Sequence, residues 1–359
     1  MGSGNRPNFP IASVLVMRIA IGTEKGAYVL DDGSGGWDVS GPVFPGWKVS
    51  AFGVAPDGTH LAAVASNWFG VAVHRSADFE TWEQTDVPPS WAEDSDRAME
   101  QIWTFRTVGD RIWAGVAHAG LFTSEDSGVT WSPVNGLNEH RTRPDWEPGL
   151  GGLCAHRIWI DGDSQWVAIS AVGVFRSDDG GETWEPRNDG VDFVGAPEDS
   201  PRPEVGYCVH CVAHDPDNPF RIWRQDHSGV YRSDDGGDNW DRIENGLPAN
   251  FGFVMWRDDG SGRLFTIPLE ADTNRVPVDG ELRVYRSDDD GETWEVSGSG
   301  WPDEPQFTGV LRGAFDGDDM GTFCFGTTGG KVWLTTDNGD TWAELGASFP
   351  RIGAVRVLR

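Results

Sequence analysis

Apolar and polar residues alternate along most of this chain in short runs, broken at close intervals by Gly, Asp, Asn and Pro. Alternation with a period of two marks a half-buried β-strand, and breakers at this density mark the turns of an antiparallel sheet. The stretch from Leu153 to Pro186 shows the pattern. Leu153–Ile160, Gln165–Ala171, Gly173–Asp178 and Thr183–Pro186 each read as a strand, with Asp161-Gly162-Asp163 as a turn between the first two.

That four-strand unit repeats. Five segments share Ser/Thr-x-Asp-x-Gly-x-Thr/Asn-Trp: Ser124–Trp131, Ser177–Trp184, Ser233–Trp240, Ser287–Trp294 and Thr335–Trp342. Ser76–Trp82 is a shortened copy without the glycine, and Leu30–Trp37 keeps only Asp32, a glycine-rich turn and Trp37. The seven tryptophans recur roughly every 50 residues, a period that signals a propeller. The motif suits a hairpin between the third and fourth strands. Its Asp can cap the backbone N–H groups of the turn, its Gly supplies a positive φ, and its Trp packs over the hairpin.

The first unit has only three strands, Val14–Gly22, Gly26–Leu30 and Trp37–Val39, while Ile352–Leu358 is left over after the last box. The expected fold is therefore all-β: a single seven-bladed propeller of four-stranded antiparallel blades, closed by the C-terminal strand pairing with the first blade. Residues 14–359 form the propeller in this reading, and 1–13 an N-terminal extension.

Charge narrows the partners. The chain has 28 basic and 57 acidic residues, a formal charge of −29, and repels nucleic acid and anionic membranes. The surplus of acid with only three lysines, Lys25, Lys48 and Lys331, also suits a salt-rich milieu. Four cysteines in 359 residues make no disulfide scaffold, and Cys208 and Cys211, three apart on a strand, point to opposite faces. The run Ile11–Met17 is too short for a secretion signal or a membrane span, so a cytoplasmic monomer is the expectation.

The boxes, as in Val230-Tyr231-Arg232-Ser233-Asp234-Asp235-Gly236-Gly237-Asp238-Asn239-Trp240, resemble the BNR/Asp-box repeats of the sialidase superfamily. Such repeats also occur in sortilin-type receptors, xyloglucanases and photosystem-assembly propellers. Lys25–Leu30, Leu153-Cys154-Ala155-His156 and Tyr231–Gly236 are similar to bacterial and archaeal propellers described as BNR-repeat glycosyl hydrolases or exo-sialidase-like proteins. In that superfamily the boxes lie at the propeller edge, away from the active site. The resemblance thus implies a structural role for Asp126, Asp179, Asp235, Asp289 and Asp337, and leaves function to other residues. It implies a glycoside hydrolase or related carbohydrate-active enzyme, or alternatively a non-catalytic scaffold binding a protein or glycan. True sialidase chemistry is disfavoured. The superfamily's Phe-Arg-Ile-Pro is replaced by Met17-Arg18-Ile19-Ala20, and Tyr207 with Glu204 is the one Tyr–Glu pair on the required face.

Propeller geometry assigns the loops. The box turns share one face; the links between blades and the second-to-third-strand turns share the other. The long segments Trp131–Leu153, Trp184–Tyr207 and Leu269–Glu281 all map to that second face, which is the expected ligand face. His118, His140, His156, His210 and His227 gather there too. His156 and His210 occupy matched Cys-x-His positions on adjacent innermost strands. These histidines either bond to water and neighbouring carbonyls or serve a ligand or metal. The candidate ligand-binding set is His156, His210, His118, Arg275, Arg312 and Trp146, and the catalytic candidates are Glu270, Glu204 and His227. A divalent metal, if one binds, is expected among His156, His210, His227 and Glu270. Exchange of His156 and His210 for alanine should, on this reading, abolish binding and leave the melting temperature almost unchanged.

Overall fold

A computed structural model describes residues 17–33, 36–66, 68–194, 201–271, 273–318 and 320–358. The extension expected over residues 1–13 lies outside them. Seven four-stranded antiparallel sheets follow one another as the blades of a propeller, with innermost strands of successive blades in contact. Among the described residues helix is confined to the turn Asn135–Asn138 and two 3-10 segments, Arg143–Asp145 and Val278–Gly280. Among the described residues no helix is long and apolar enough to cross a membrane.

The ring closes as expected. Ile352–Leu358 is the innermost strand of blade 1 and pairs antiparallel with Arg18–Thr23 from Arg18↔Leu358 to Thr23↔Ile352. Gly26–Gly33 and Gly36–Val43 complete that blade. Blade 4 is built from Cys154–Asp161, Ser164–Ser170, Gly173–Ser177 and Glu185–Pro186, close to the strands read from the sequence. Blade 6 departs from the pattern. Its inner hairpin is split into Phe251–Gly252 with Pro268–Leu269 and Trp256–Arg257 with Leu264–Phe265. Pro268 lacks an N–H for the ladder, and the gap leaves Phe253 beside the channel.

Each intact Asp box works as a cap. In blade 4, Asp179 accepts hydrogen bonds from Ser177 Oγ (2.7 Å), the Thr183 N–H (2.9 Å) and Thr183 Oγ1 (2.5 Å), while Ser177 Oγ accepts from the Gly181 N–H. Two successive left-handed residues, Gly180 and Gly181 at φ 74° and 94°, carry the chain through the turn. The shortened box of blade 2 manages with one, Phe79 at φ 64°, and Asp78 still caps the N–H groups of Glu80 and Thr81.

Three kinds of contact join blade to blade. Box tryptophans of blades 5 and 6 reach back to the preceding blade, Trp240 Nε1 donating to Arg187 O at 3.0 Å and Trp294 Nε1 to Ile243 O at 2.8 Å, whereas Trp184 Nε1 donates to Gly181 O in its own turn. Arginines reach forward to the next blade's box acids, Arg221 to Asp290 at 3.0 Å and Arg286 to Asp340 at 2.7 Å. The third lies at the channel. The innermost strands of blades 2 to 5 carry a bulge at one shared place, at Ser50, Trp103, His156 and His210. A bulge frees its residue from the ladder and turns it sideways. Ser50 Oγ donates to Ile102 O (2.8 Å), His156 Nε2 bonds Val209 O (3.0 Å) and His210 Nδ1 bonds Gly252 O (2.7 Å), each in the next blade.

Removing Ile352–Leu358 should open two long sheet edges and abolish the single cooperative unfolding transition, which tryptophan fluorescence in a denaturant titration will show. The boxes set the acid limb of stability. Backbone and hydroxyl hydrogen bonds hold Asp78 and Asp179 down to a pKa of about 2. A depressed folded-state pKa gives stabilisation that is complete above the unfolded value near 4 and vanishes as pH falls to about 2. The melting-temperature gap between wild type and Asp179→Asn should therefore be widest at neutral pH and close by about pH 2.

Candidate functional site

On the face opposite the boxes, a cavity of about 720 Å³ opens among the loops of blades 4 and 5 and the channel residues of blades 6 and 7. The segment after Trp131 supplies Asp145, Glu147 and Leu150; the segment after Trp184 supplies Phe193, Glu204 and Tyr207. Its floor holds Ser170, Cys208, His210, Asp226, His227, Phe253, Arg275 and Arg312. A second cavity of about 770 Å³ continues down the channel and shares Gly151, Phe253, Arg275 and Arg312 with the first. Both guanidinium groups stack on Phe253, Arg275 at 5.4 Å and Arg312 at 5.2 Å from the ring centroid. Two cations facing one ring at the neck between the cavities suit an anionic group entering from the mouth.

The floor is rigidly built. Arg312 is tied to His210 O (3.3 Å) and Ser170 Oγ (3.4 Å). The turn carrying His227 is anchored by its N–H to Cys208 O at 2.9 Å. Beside it Asp226 forms an ion pair with Arg224 at 2.5 Å, and both side chains are fully buried. Arg224 also donates to Asn188 Oδ1, and Asn188 Nδ2 to Glu204 O, so one polar network couples this turn to the loop leading into blade 5.

Cys208, His210 and His227 converge at that floor, with their ligand atoms within 4.8 Å of one another. Cys208 Sγ lies 3.5 Å from His210 Nε2. Burial opposes ionisation of the Cys208 thiol, but the His210 and His227 rings facing the sulfur outweigh it and bring its pKa to about 5. Burial lowers the pKa of His210.

The candidates read from the sequence separate into those the cavity collects and those it does not. His210, His227, Arg275, Arg312 and Glu204 line it. Glu204 stands at the rim, bound to Arg141 at 2.5 and 2.9 Å, which holds its carboxyl below the usual range. Glu270 lines neither of these cavities and accepts a hydrogen bond from Asn274 within its own loop. His118 pairs with Glu100 at 3.4 Å in the blade 3 turn. Trp146 is buried in the blade 4 core and donates to Thr142 Oγ1. His156 is buried at the channel wall, its pKa pushed far down by burial, with Nε2 committed to Val209 O.

Cys208 is the residue that the sequence reading passed over. Tested only against Cys211, it has no partner there: Cys211 is buried on the far face with Sγ 3.4 Å from Met255 O. The usable signal was the period-two spacing Cys208-x-His210, which puts both side chains on one strand face.

These boxes on this fold define a BNR/Asp-box-repeat β-propeller. The BNR/Asp-box repeat description matches residues 175–186. The chain is 24% identical over 282 residues to the oligoxyloglucan-reducing end-specific xyloglucanase of Emericella nidulans, covering 69% of this chain and 32% of that protein. It thus spans about a third of the length of this curated relative. Among solved structures, a putative 6-phosphogluconolactonase from Bacteroides fragilis superposes with a TM-score of 0.59 at 11% identity, covering 98% of this chain and 100% of that one. YCF48 from Cyanidioschyzon merolae gives 0.53 at 13% identity over 85% and 88%, and YCF48 bound to D1 peptide gives 0.52 at 16% over 83% and 84%. Likeness at these identities establishes the fold alone.

The bond from His156 to the next blade points to a loss of stability on its removal, where the sequence alone led to an expectation of an unchanged melting temperature. His156→Ala should lose about 1–3 kcal/mol in denaturant unfolding by leaving a buried carbonyl unpaired, and His156→Gln should recover part of it.

Proposed function

We propose that this propeller is a carbohydrate-active protein whose ligand, a glycan carrying an anionic group, sits in the mouth cavity. The observation that carries the reading is the pairing of Arg275 and Arg312 on Phe253 at the neck of a cavity walled by Tyr207 and Phe193. Aromatic walls suit the apolar faces of sugar rings, and the guanidinium pair suits a carboxylate or other acidic substituent. Trp68 and Phe69, 89% and 78% exposed on the second-to-third-strand turn of blade 2, add aromatic surface on the same face. The xyloglucanase relative supports a glycan as the ligand class.

Of the catalytic candidates read from the sequence, Glu204 and His227 line the cavity and Glu270 does not, so Glu270 gains no support. His227 keeps its candidacy as a reacting group through its place on the floor. A scaffold that binds a peptide is the second reading, favoured by the exposed side chains Trp68, Phe69, Leu150 and Phe307.

Calorimetric titration with acidic and neutral oligosaccharides tests the proposal. Acidic glycans should bind, and Arg275→Gln should weaken them by about 10- to 100-fold, with neutral glycans little affected. Absence of glycan binding together with capture of an extended peptide by the same face would overturn it in favour of the scaffold.

A further inference from the structure

We infer that Cys208, His210 and His227 form a divalent metal site of the zinc type, with three protein ligands and an open position facing the mouth cavity. The inference is independent of the glycan reading, because it concerns what the floor binds whether or not a glycan enters above it.

The geometry fits a tetrahedral ion. Zn–S near 2.3 Å and Zn–N near 2.0–2.1 Å place sulfur and nitrogen about 3.5 Å apart in a tetrahedral centre. Cys208 Sγ and His210 Nε2 are 3.5 Å apart. The His227 ring hangs from a turn whose backbone is pinned to Cys208 O, and its nitrogen lies within 4.8 Å of the other two ligand atoms, a gap that a small side-chain rotation closes.

The tautomer fits as well. His210 Nδ1 faces the Gly252 carbonyl at 2.7 Å, an acceptor, so Nδ1 carries the proton and Nε2 turns its lone pair toward Cys208. A backbone carbonyl on the far nitrogen is the usual outer partner of a metal-binding histidine. Two lone-pair atoms at this distance require a cation between them, either the thiol proton or a metal. The surrounding Phe251 and Phe253 rings, 5.1 and 4.6 Å from His210, fix its plane and exclude water from one side.

The remaining position opens on the cavity that Arg275 and Arg312 also line. One thiolate and two neutral imidazoles leave a net positive charge on a divalent ion. Beside two guanidinium groups, the vacant position favours an anionic oxygen ligand, carboxylate or phosphate. A hydroxide bound there would be the nucleophile such centres supply.

The test uses the full chain stripped with chelator and titrated with Zn²⁺ or Co²⁺ alone. The expected result is about one ion per chain and, for Co²⁺, intense tetrahedral d–d bands with a thiolate charge-transfer band. Cys208→Ser should abolish the charge-transfer band and weaken Zn²⁺ by at least about 100-fold, and His227→Gln should weaken it by a similar factor. Cys211→Ser, on the opposite face, should bind like wild type, and thermal unfolding of each variant verifies its fold. Failure of the folded wild type to bind either ion, or binding that survives Cys208→Ser and His227→Gln unchanged, would overturn the site.

Discussion

A closed ring of sheets must hold together across gaps that no backbone ladder spans. In this propeller the problem is sharpest at the channel, where innermost strands converge and their carbonyls face one another. The solution is a bulge at one shared place in four successive blades, whose freed side chain bonds the next blade's backbone at three of them. Buried bonds of this kind are expensive to leave unmade, so they hold the blades to one spacing. Box tryptophans and interblade arginine–acid pairs repeat the task toward the rim, where solvent makes each ion pair worth less.

The same device shapes the site. A residue freed from the ladder to reach the next blade is also one whose other ring atom can face the channel. His156 and His210 occupy the same bulge, yet only His210 lines the mouth cavity. The difference comes from their neighbours. Cys208 and the His227 turn stand beside His210, and the split inner hairpin of blade 6 brings Phe253 against it. The irregularity in blade 6 and the bulge in blade 5 together make one corner of the channel chemically distinct.

Acidic excess and local basic chemistry coexist because arginines are spent in pairs. Many sit in ion pairs along the box rim, while Arg275 and Arg312 are held against an aromatic ring at the channel neck. A chain of formal charge −29 thus keeps two guanidinium groups at the neck of a cavity whose lining also carries the carboxylates of Asp145, Glu147 and Glu204.

Seven blades, their four-strand composition, the box hairpins and closure by Ile352–Leu358 were all legible in the sequence, because each depends on local periodicity, turn chemistry and a count of strands. The face on which the mouth cavity opens was legible too, since strand direction assigns every loop to one end. What the sequence could not decide was which side chains on that face meet. Trp146 turns into a core, Glu270 stays in its own loop and His118 pairs with Glu100, whereas Cys208 joins His210 and His227. Those outcomes rest on bulges, a broken hairpin and loops packed across blade boundaries. Such contacts join residues distant in the chain, and only the assembled ring specifies them.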